Sequence, residues 1–298
     1  IIEKYIKSMK TLIVLVLIAI PFLSEGQKRS EEKVSYAKGT VYGYWGYNRT
    51  AYTKSNMRFV GPDYDFTLVN VRAADNPSTD IKQYIRVSTI TVPQFNARIG
   101  YYFKDHWAAS IGYDHMKYLI NDGNQVKMYG HVNPGVDTIT NLSGEYDGEV
   151  FTTDRSTFHY ENSNGLNYLR AEVTRTDQWL TFGKNKWFGF STNVGLSAGA
   201  LLTFNDFRFA GNDDRVTISL SGYGLSLSSG LRFEFFKHVF LQTNFNAGFH
   251  HLVKVKSRPD LSNEYYIKHK YGFVEGNVVL GLMFYIKSKN GCDSCPVW

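Results

Sequence analysis

Apolar side chains alternate with polar or small ones along many segments of this sequence, and this two-residue period constrains the fold more than any other feature. The segment from Gln94 to Met116, QFNARIGYYFKDHWAASIGYDHM, is the clearest case. Its alternation stops at Lys104-Asp105-His106 and then resumes. Successive side chains of a strand point to opposite faces, so the segment predicts two strands joined by a short turn. By itself it does not decide whether the apolar face packs inside a soluble sandwich or meets lipid.

The same alternation recurs often enough to predict eight strands. They are Thr40 to Ala51, the two halves of Gln94 to Met116, Gly165 to Arg175, Trp187 to Thr203, Val216 to Phe236, the segment around Leu241 to His250, and Lys270 to Ile286. Each is close to or above the roughly ten residues that a tilted strand needs to cross a membrane.

The connections between these strands alternate in length. Short joins fall at Lys104 to His106 and at Lys237-His238, and a somewhat longer join contains RTDQWLTFGKNK. Long connections run from Tyr52 to Ile90, Leu119 to Asn164, Phe204 to Arg215 and Lys254 to His269. Short turns at one end and long loops at the other are the layout of an outer-membrane barrel with periplasmic turns. The aromatic content of 16% also suits the aromatic girdles of such a barrel. A soluble sandwich is the alternative.

Charged residues on the polar face of the strands separate the two interpretations. This set comprises Arg98, Asp114, Arg170, Glu172, Arg232, Glu234 and Glu275. In a sandwich they would be surface residues, whereas the interior of an eight-stranded barrel is only wide enough for side chains to fill it. Buried charges are costly unless paired. We therefore expect three arginines to meet four acids in a closed, salt-bridged interior without an open pore.

The start of the chain indicates export. Three lysines precede a 13-residue apolar run, Thr11 to Leu23, which is followed by SEGQ. This order is typical of a secretory signal peptide, and the run is shorter than a membrane-spanning helix requires. A buried N-terminal helix or membrane anchor is the alternative. We expect a signal peptide at residues 1–26, a periplasmic segment at 27–39, the barrel at 40–287 and a periplasmic tail at 288–298.

With these features the chain resembles the small bacterial outer-membrane β-barrel family of the eight-stranded type, over about Thr40 to Ile286. The resemblance rests on the strand pattern and the signal peptide and on no catalytic motif. It implies an all-β fold, an eight-stranded antiparallel transmembrane β-barrel with long extracellular loops, located in the bacterial outer membrane. Members of this family act as membrane anchors, adhesion or defence surfaces, scaffolds and, in a few cases, lipid-modifying enzymes, and the barrel alone does not choose among these functions.

The segment FHYENSNGLNY, Phe158 to Tyr168, raises an enzymatic alternative. It is similar to the His-x-Ser-Asn motif of the outer-membrane lipid A deacylases, which would make His159 the base, Ser163 the nucleophile and Glu161 the orienting acid. Here the histidine and serine are four residues apart, and on a strand this separates their Cα atoms by about 13 Å. That is too far for a base to activate a hydroxyl unless a turn through NSNG brings them together.

Two further features concern partners. Cys292 and Cys295 in GCDSCPVW are predicted to form a local disulfide in an oxidising periplasm, with docking or redox roles as alternatives. The segment from Tyr52 to Ile90, in which Tyr64, Phe66 and Leu68 alternate as in a strand, is where a binding surface is expected first.

The sequence thus predicts a non-enzymatic membrane scaffold or surface interaction protein that acts through its extracellular loops. A lipid A deacylase-like hydrolase and a small-solute channel are the alternatives. Expected partners are outer-membrane lipid and lipopolysaccharide, and proteins that contact the loops or the C-terminal tail. No cofactor or metal is expected. The net charge of +6 is spread along the chain, so no nucleic acid is expected either.

Overall fold

The fold is known from a computed structural model that describes residues 36–86, 88–140, 142–183, 186–259 and 264–286. These residues form 15 strands and one 3-10 turn, Ile81–Tyr84. The strands are β1 Thr40–Tyr52, β2 Ser55–Gly61, β3 Tyr64–Val71, β4 Ala73–Ala74, β5 Phe95–Lys104, β6 Trp107–Met116, β7 Leu119–Ile120, β8 Gln125–Val132, β9 Gly144–Thr152, β10 His159–Glu161, β11 Leu166–Phe182, β12 Phe188–Phe209, β13 Asn212–Phe235, β14 Val239–Lys256 and β15 Tyr266–Tyr285. Among the described residues, no helix is long and apolar enough to span a bilayer.

Eight of the strands close into a ring. Each pairs antiparallel with the next in the order β1, β5, β6, β11, β12, β13, β14 and β15. The ring closes where β15 pairs with β1, from Thr40 opposite Tyr285 to Tyr52 opposite Phe273. The predicted eight-stranded antiparallel barrel is therefore confirmed, and so is the order of its strands.

The lower part of the ring is apolar outside and polar inside. The outward residues Leu196, Leu227 and Leu280 are 62%, 58% and 61% exposed. The residues that alternate with them, such as Ser197, Ser226 and Asn277, are buried in the lumen. Exposed leucines on every second residue suit lipid and not water, so we call this zone the lipid belt. The segment from Gln94 to Met116 thus directs its aromatic and aliphatic face to lipid.

The strands continue above the belt as a second, water-facing layer. β2, β3, β8 and β9 extend the sheet outward from β15, while β10, β7 and β4 extend it from β12. Inward residues of these strands pack with Phe158, which precedes β10, and with the upper part of β12 into one apolar core, which includes Met57, Phe59, Phe66, Phe158, Phe207 and Phe209. All of these added strands lie at the end of the barrel with the long connections, which is the extracellular end of such barrels. We call this layer the extracellular domain.

The polarity of the strands inverts between the two layers. Along β12 the inward residues change from Ser191, Asn193 and Ser197 to Leu201, Phe207 and Phe209. The outward residues change in the opposite sense, from Val194 and Leu196 to Asp206 and Arg208. The strand keeps its two-residue period while its solvent changes from lipid to water.

This inversion corrects two predicted loops. The segment from Phe204 to Arg215 was expected to be a long connection, but β12 runs to Phe209 and β13 starts at Asn212. Only Ala210 and Gly211 make the turn, both with positive φ (54° and 77°). The connection from Lys254 to His269 is also shorter than expected, because β14 ends at Lys256 and β15 begins at Tyr266.

Candidate functional site

Four charged side chains meet in the centre of the lumen. Arg98 on β5 places Nη2 2.9 Å from Asp114 Oδ1 on β6, and its Nη1 contacts Glu172 on β11. Arg170, also on β11, places Nε 2.8 Å from Asp114 Oδ2. All four side chains are almost fully shielded from solvent. Two guanidinium groups thus alternate with two carboxylates, which offsets the cost of burying each charge.

Small residues on neighbouring strands make room for this cluster. The Cβ that a side chain would add at Gly112 would lie 2.7 Å from Cζ of Arg98. Ser197 and Ser226 accept hydrogen bonds from Arg170 Nη1, at 3.2 and 2.8 Å. The glycines and serines of the polar face therefore give the arginines space and acceptors, which explains the small-residue character of that face.

The other predicted lumenal charges have different partners. Glu275 accepts hydrogen bonds from the amide groups of Asn96, Asn246 and Asn277, at 3.2, 2.6 and 3.0 Å. Arg232 donates to Gln242 Oε1 (2.6 Å).

Arg232 also stacks on Phe240, with 4.3 Å from Cζ to the ring centroid. Glu234 accepts a hydrogen bond from Ser191 Oγ at 2.8 Å. The expected arginine–acid pairs are thus only part of the lumenal contacts, because asparagine amides surround Glu275.

Aromatic residues close the lumen at both ends. At the periplasmic end Tyr42, Tyr102, Phe240 and Met283 pack into one cluster. At the other end Tyr168 and Tyr271, on the barrel strands β11 and β15, pack into the core of the extracellular domain.

Between these layers, the cavity bounded by Arg98, Glu172 and Arg232 has a volume of about 10 Å³. This is about the space of a single water molecule, so this cavity has no room for a hydrated solute.

The three candidate catalytic residues lie together in the extracellular domain, but in an order that differs from a triad. His159 Nε2 is 2.9 Å from Glu161 Oε2, and Ser163 lies close enough to Glu161 to help lower the pKa of its carboxyl. Ser163 Oγ accepts a hydrogen bond from Asn76 Nδ2 at 3.1 Å. The acid therefore stands between the histidine and the serine, whereas nucleophilic catalysis needs the base in contact with the hydroxyl.

The surroundings of Glu161, the candidate orienting acid, favour its ionised form. The hydrogen bond from His159 and the nearby positive charge of Arg155 hold the pKa of the Glu161 carboxyl below its usual range. Arg155 Nη2 lies 3.2 Å from Glu161 Oε2. The arrangement fits a structural anchor for β10, which pairs with β12 at this point.

An open cleft on the extracellular domain was not singled out by the sequence patterns. It has a volume of about 630 Å³ and is lined by the cations Lys54, Arg72 and Lys127 and by the turn at 121–124. Lys54 and Arg72 belong to the Tyr52 to Ile90 segment, in which a binding surface was expected. The predicted strand through Tyr64, Phe66 and Leu68 is β3, and these side chains are buried beneath the surface.

A second surface feature lies on the outside of the barrel at the upper edge of the lipid belt. Residues 80–86, which contain the 3-10 turn, pack against β1: Tyr47 Oη donates to the carbonyl of Tyr84 (2.6 Å), and Arg49 Nη2 donates to Tyr84 Oη (2.5 Å). Ile81 and Ile85 are 72% and 74% exposed. We call residues 80–86 the interface segment, because its exposed aliphatic side chains lie beside the aromatic edge of the belt.

The remaining sequence predictions fall outside the described residues. Cys292, Cys295 and the predicted tail at 288–298 are among them, as are residues 1–35 with the predicted signal peptide. The signal peptide, the domain boundaries and the disulfide therefore stay predictions.

Comparisons with known proteins find similar solved structures but no related sequence. No protein-family model and no curated protein matches the sequence. Among solved structures, the outer membrane protein OprG from Pseudomonas aeruginosa is 11% identical, with a TM-score of 0.39 over 85% of this chain and 100% of that one. Neisserial surface protein A is 8% identical, with a TM-score of 0.31 over 84% and 98%.

Ail of Yersinia pestis, solved with the heparin analogue sucrose octasulfate, is 10% identical, with a TM-score of 0.30 over 83% of this chain and 99% of that one. At such TM-scores these similarities add nothing to the geometry. That geometry defines the class by itself: a closed antiparallel ring with a lipid belt, a polar packed lumen and long connections at one end is an eight-stranded outer-membrane β-barrel.

Proposed function

We propose that this protein is a non-conducting membrane platform that holds a folded extracellular domain at the cell surface for interaction with other molecules. The observation that carries this proposal is the continuous filling of the barrel. The aromatic cluster at the periplasmic end, the charged cluster around Arg98 and the extracellular core follow one another along the axis. A lumen filled in this way anchors and stiffens the protein but offers no solute path.

The extracellular domain supplies the interaction surface. Its strands continue those of the barrel without a flexible linker, as β12 does from Phe188 to Phe209. A site on this domain is consequently fixed in height and orientation relative to the membrane. Rigid placement favours binding because little conformational entropy is lost when a partner docks.

Outer-membrane lipid is the first partner of such a platform, and lipopolysaccharide is the lipid that its extracellular half would contact. The interface segment supports this proposal, since Ile81 and Ile85 are exposed and Lys82 and Arg86 lie next to them in the chain. Aliphatic side chains enter the acyl boundary while basic groups reach lipid phosphates. Protein partners on the extracellular domain are a further part of the proposal.

Planar bilayer recording tests the platform against a channel. The purified full-length protein, verified as folded by its shifted gel mobility without heating, should add no discrete current steps in 1 M potassium chloride. A porin inserted by the same procedure serves as the positive control. Steps of uniform size that appear with this protein would overturn the proposal.

The hydrolase alternative has less support, because His159 contacts Glu161 and no hydrogen bond in the described part of the chain joins it to Ser163, whose hydroxyl accepts from Asn76. Its test is the mass of lipid A from cells that express the wild type or Ser163→Ala. The platform predicts the same acyl number in both strains and in cells without the protein. Loss of an acyl chain in the wild type alone would establish the enzyme instead.

A further inference from the structure

We propose that the cleft lined by Lys54, Arg72 and Lys127 binds a phosphorylated or sulfated saccharide. This inference rests on the proposed function and deepens it, since it names a class of ligand for the extracellular domain. The cleft opens on the water-facing surface, so its ligand would arrive from outside or from the headgroup region without crossing the barrel.

The charge of the cleft is the first argument. Three cations line it against one carboxylate, Asp122. Lys54, Arg72 and Lys127 form no ion pair with another described residue, whereas many other surface arginines are paired, as Arg58 is with Asp65. Cations that converge on one cleft without internal partners leave a net positive potential there, which favours an anionic ligand.

The shape of the cleft is fixed by hydrogen bonds in its floor. The carbonyl of Arg72 accepts bonds from Asn121 N (3.1 Å) and from Asn124 Nδ2 (3.0 Å). Thr153 holds the same turn, because its Oγ1 accepts from Asn124 N (2.9 Å) and donates to the carbonyl of Asn121 (2.8 Å). Gly123 has a φ of 65° and donates its N–H to the carbonyl of Thr153. The turn between β7 and β8 is thus held in one conformation before any ligand binds, which lowers the entropic cost of binding.

The lining selects a saccharide over a lipid tail or a metal ion. Polar side chains from Asn70, Asn121, Asn124 and Gln125 surround the cations, and amide groups match sugar hydroxyls as donors and acceptors. A volume of about 630 Å³ lies in the ordinary range for small-molecule sites. Metal cations are disfavoured by the three positive side chains, and acyl chains by the charged and amide side chains, which outnumber the three valines of the lining.

Two sources carry this chemistry: the phosphorylated core sugars of lipopolysaccharide in the same membrane, and sulfated glycans outside the cell. Both present anionic groups on a hydroxylated ring. An arginine forms two parallel hydrogen bonds to phosphate or sulfate oxygens, while lysines contribute point charges. The cleft therefore suits an anionic saccharide from either source, and the experiment below distinguishes lipopolysaccharide from an external glycan.

The test is calorimetric titration of the full-length protein, folded in detergent micelles. The probes are sulfated maltohexaose, unsulfated maltohexaose, and delipidated lipopolysaccharide core oligosaccharide before and after enzymatic removal of phosphate. The wild type should bind at least one anionic probe and neither uncharged counterpart. Binding should weaken as salt is added, because salt screens exposed charges.

The decisive variant is the triple substitution Lys54→Gln, Arg72→Gln and Lys127→Gln. All three side chains are exposed, so the variant should fold, as gel mobility without heating will verify. We expect at least about a tenfold loss of affinity, since three charge contacts are removed together. The matched control removes the same kinds of charge from exposed positions outside the cleft and the interface segment, as Lys104→Gln, Arg215→Gln and Lys270→Gln, and should bind as the wild type does.

Each outcome decides one point. Binding of the core oligosaccharide assigns the cleft to the cell's own lipopolysaccharide, and binding of the sulfated probe alone assigns it to an external glycan. Equal affinity of wild type and cleft variant, or no binding of either anionic probe, overturns the inference. Bilayer recording on the same preparation keeps the two proposals apart: a silent protein that binds no saccharide loses only the cleft, whereas current steps remove the platform.

Discussion

Arg98 Nη2 and Asp114 Oδ1 lie 2.9 Å apart in the centre of the lumen, and both side chains are almost completely hidden from solvent. The same guanidinium reaches Glu172, and Arg170 completes a neutral group of two cations and two anions. The loss of any one member destabilises the folded protein, because the partner left behind is a buried charge without a counter-ion.

Replacement of Arg98 by methionine should therefore destabilise the barrel strongly. Removing one member of a buried ion pair costs about 3–5 kcal/mol in the free energy of unfolding. Adding Glu172→Gln to the same chain restores neutrality, so the double variant should regain part of that loss. Urea unfolding in lipid vesicles, followed by tryptophan fluorescence, measures both.

A surface pair is the control for this comparison. Arg215 lies 3.0 Å from Asp213 near the tip of the β12–β13 hairpin, where its side chain is 68% exposed. Arg215→Met should change the free energy of unfolding by less than about 1 kcal/mol. If Arg98→Met and Arg215→Met had equal effects, or if the double variant were no more stable than Arg98→Met, the lumenal cluster would not be a set of coupled charges.

We expect the extracellular domain to unfold independently of the barrel. Phe158 is buried among Phe59, Phe66 and Phe207. Phe158→Ala removes most of its ring contacts and should cost about 3–5 kcal/mol in the stability of this domain. The barrel below, which is held by lipid and by its own ring of strands, should keep its unheated gel mobility.

Limited proteolysis of the outer surface of intact cells measures this difference. Phe158→Ala should be cleaved within residues 120–160 faster than the wild type, because local opening exposes the backbone. The exposed Val150 on β9 gives the control, and Val150→Ala should be cleaved at the wild-type rate. Loss of the folded gel band in Phe158→Ala would mean that the two layers unfold as one unit.

Acid should weaken the contact that anchors β10. The hydrogen bond from His159 and the charge of Arg155 lower the pKa of Glu161 in the folded state. A lowered folded-state pKa means that the ionised carboxylate stabilises the fold above its unfolded pKa of about 4.3, and that this contribution is lost as the pH falls through the folded-state value. Because Glu161 is only partly buried, we expect less than about 1 kcal/mol.

Denaturation of the wild type and of Glu161→Gln at a series of pH values checks this prediction. The wild type should be the more stable of the two at pH 6, and the difference should shrink as the pH approaches 3. A difference that grew with acid would reverse the sign of the linkage and place the stabilising form of Glu161 in its protonated state.

The strand order could be read from the sequence because the lipid belt imposes a strict two-residue period. Leu225 and Leu227 alternate with Ser226 and Ser228 in the printed sequence as they do between lipid and lumen. Above the belt the period persists but the apolar residues move to the inside, as at Phe207. A prediction based on outward-facing apolar residues therefore ends the strand at Thr203, six residues before β12 ends at Phe209.

The charged residues on the polar strand faces can be picked out from the sequence as a set, but their contacts cannot. Arg98 and Glu172 stand out as charges on a polar strand face, but their contact depends on the stagger between β5, β6 and β11. Sequence alone also gave no reason to join Lys54, Arg72 and Lys127, which come together only because β2, β3 and β8 fold side by side. Residues far apart in the chain and separated by turns carry no periodic signal for such a cleft.

The depth of the interface segment is open to direct measurement. Ile85 is 74% exposed beside Tyr84, which bonds to Tyr47 at the upper edge of the lipid belt. An exposed aliphatic side chain at that height gains free energy by entering the acyl boundary, so Ile85→Trp should place an indole within the bilayer interface. Quenching of its fluorescence by lipids brominated along the acyl chain, in vesicles that contain the folded protein, reports the depth.

Ile139 provides the matched control for that measurement, since its side chain is also exposed but lies against Gly211 at the far tip of the β12–β13 hairpin. The added fluorescence of Ile85→Trp, after subtraction of the wild-type signal, should be quenched by the brominated lipids, and that of Ile139→Trp should be unaffected. Equal quenching of the two would place the whole extracellular domain at one depth, and no quenching of Ile85→Trp would put the interface segment in water. In that last case Lys82 and Arg86 would lie too far from lipid phosphates to bind them, and the segment would serve only to brace β1.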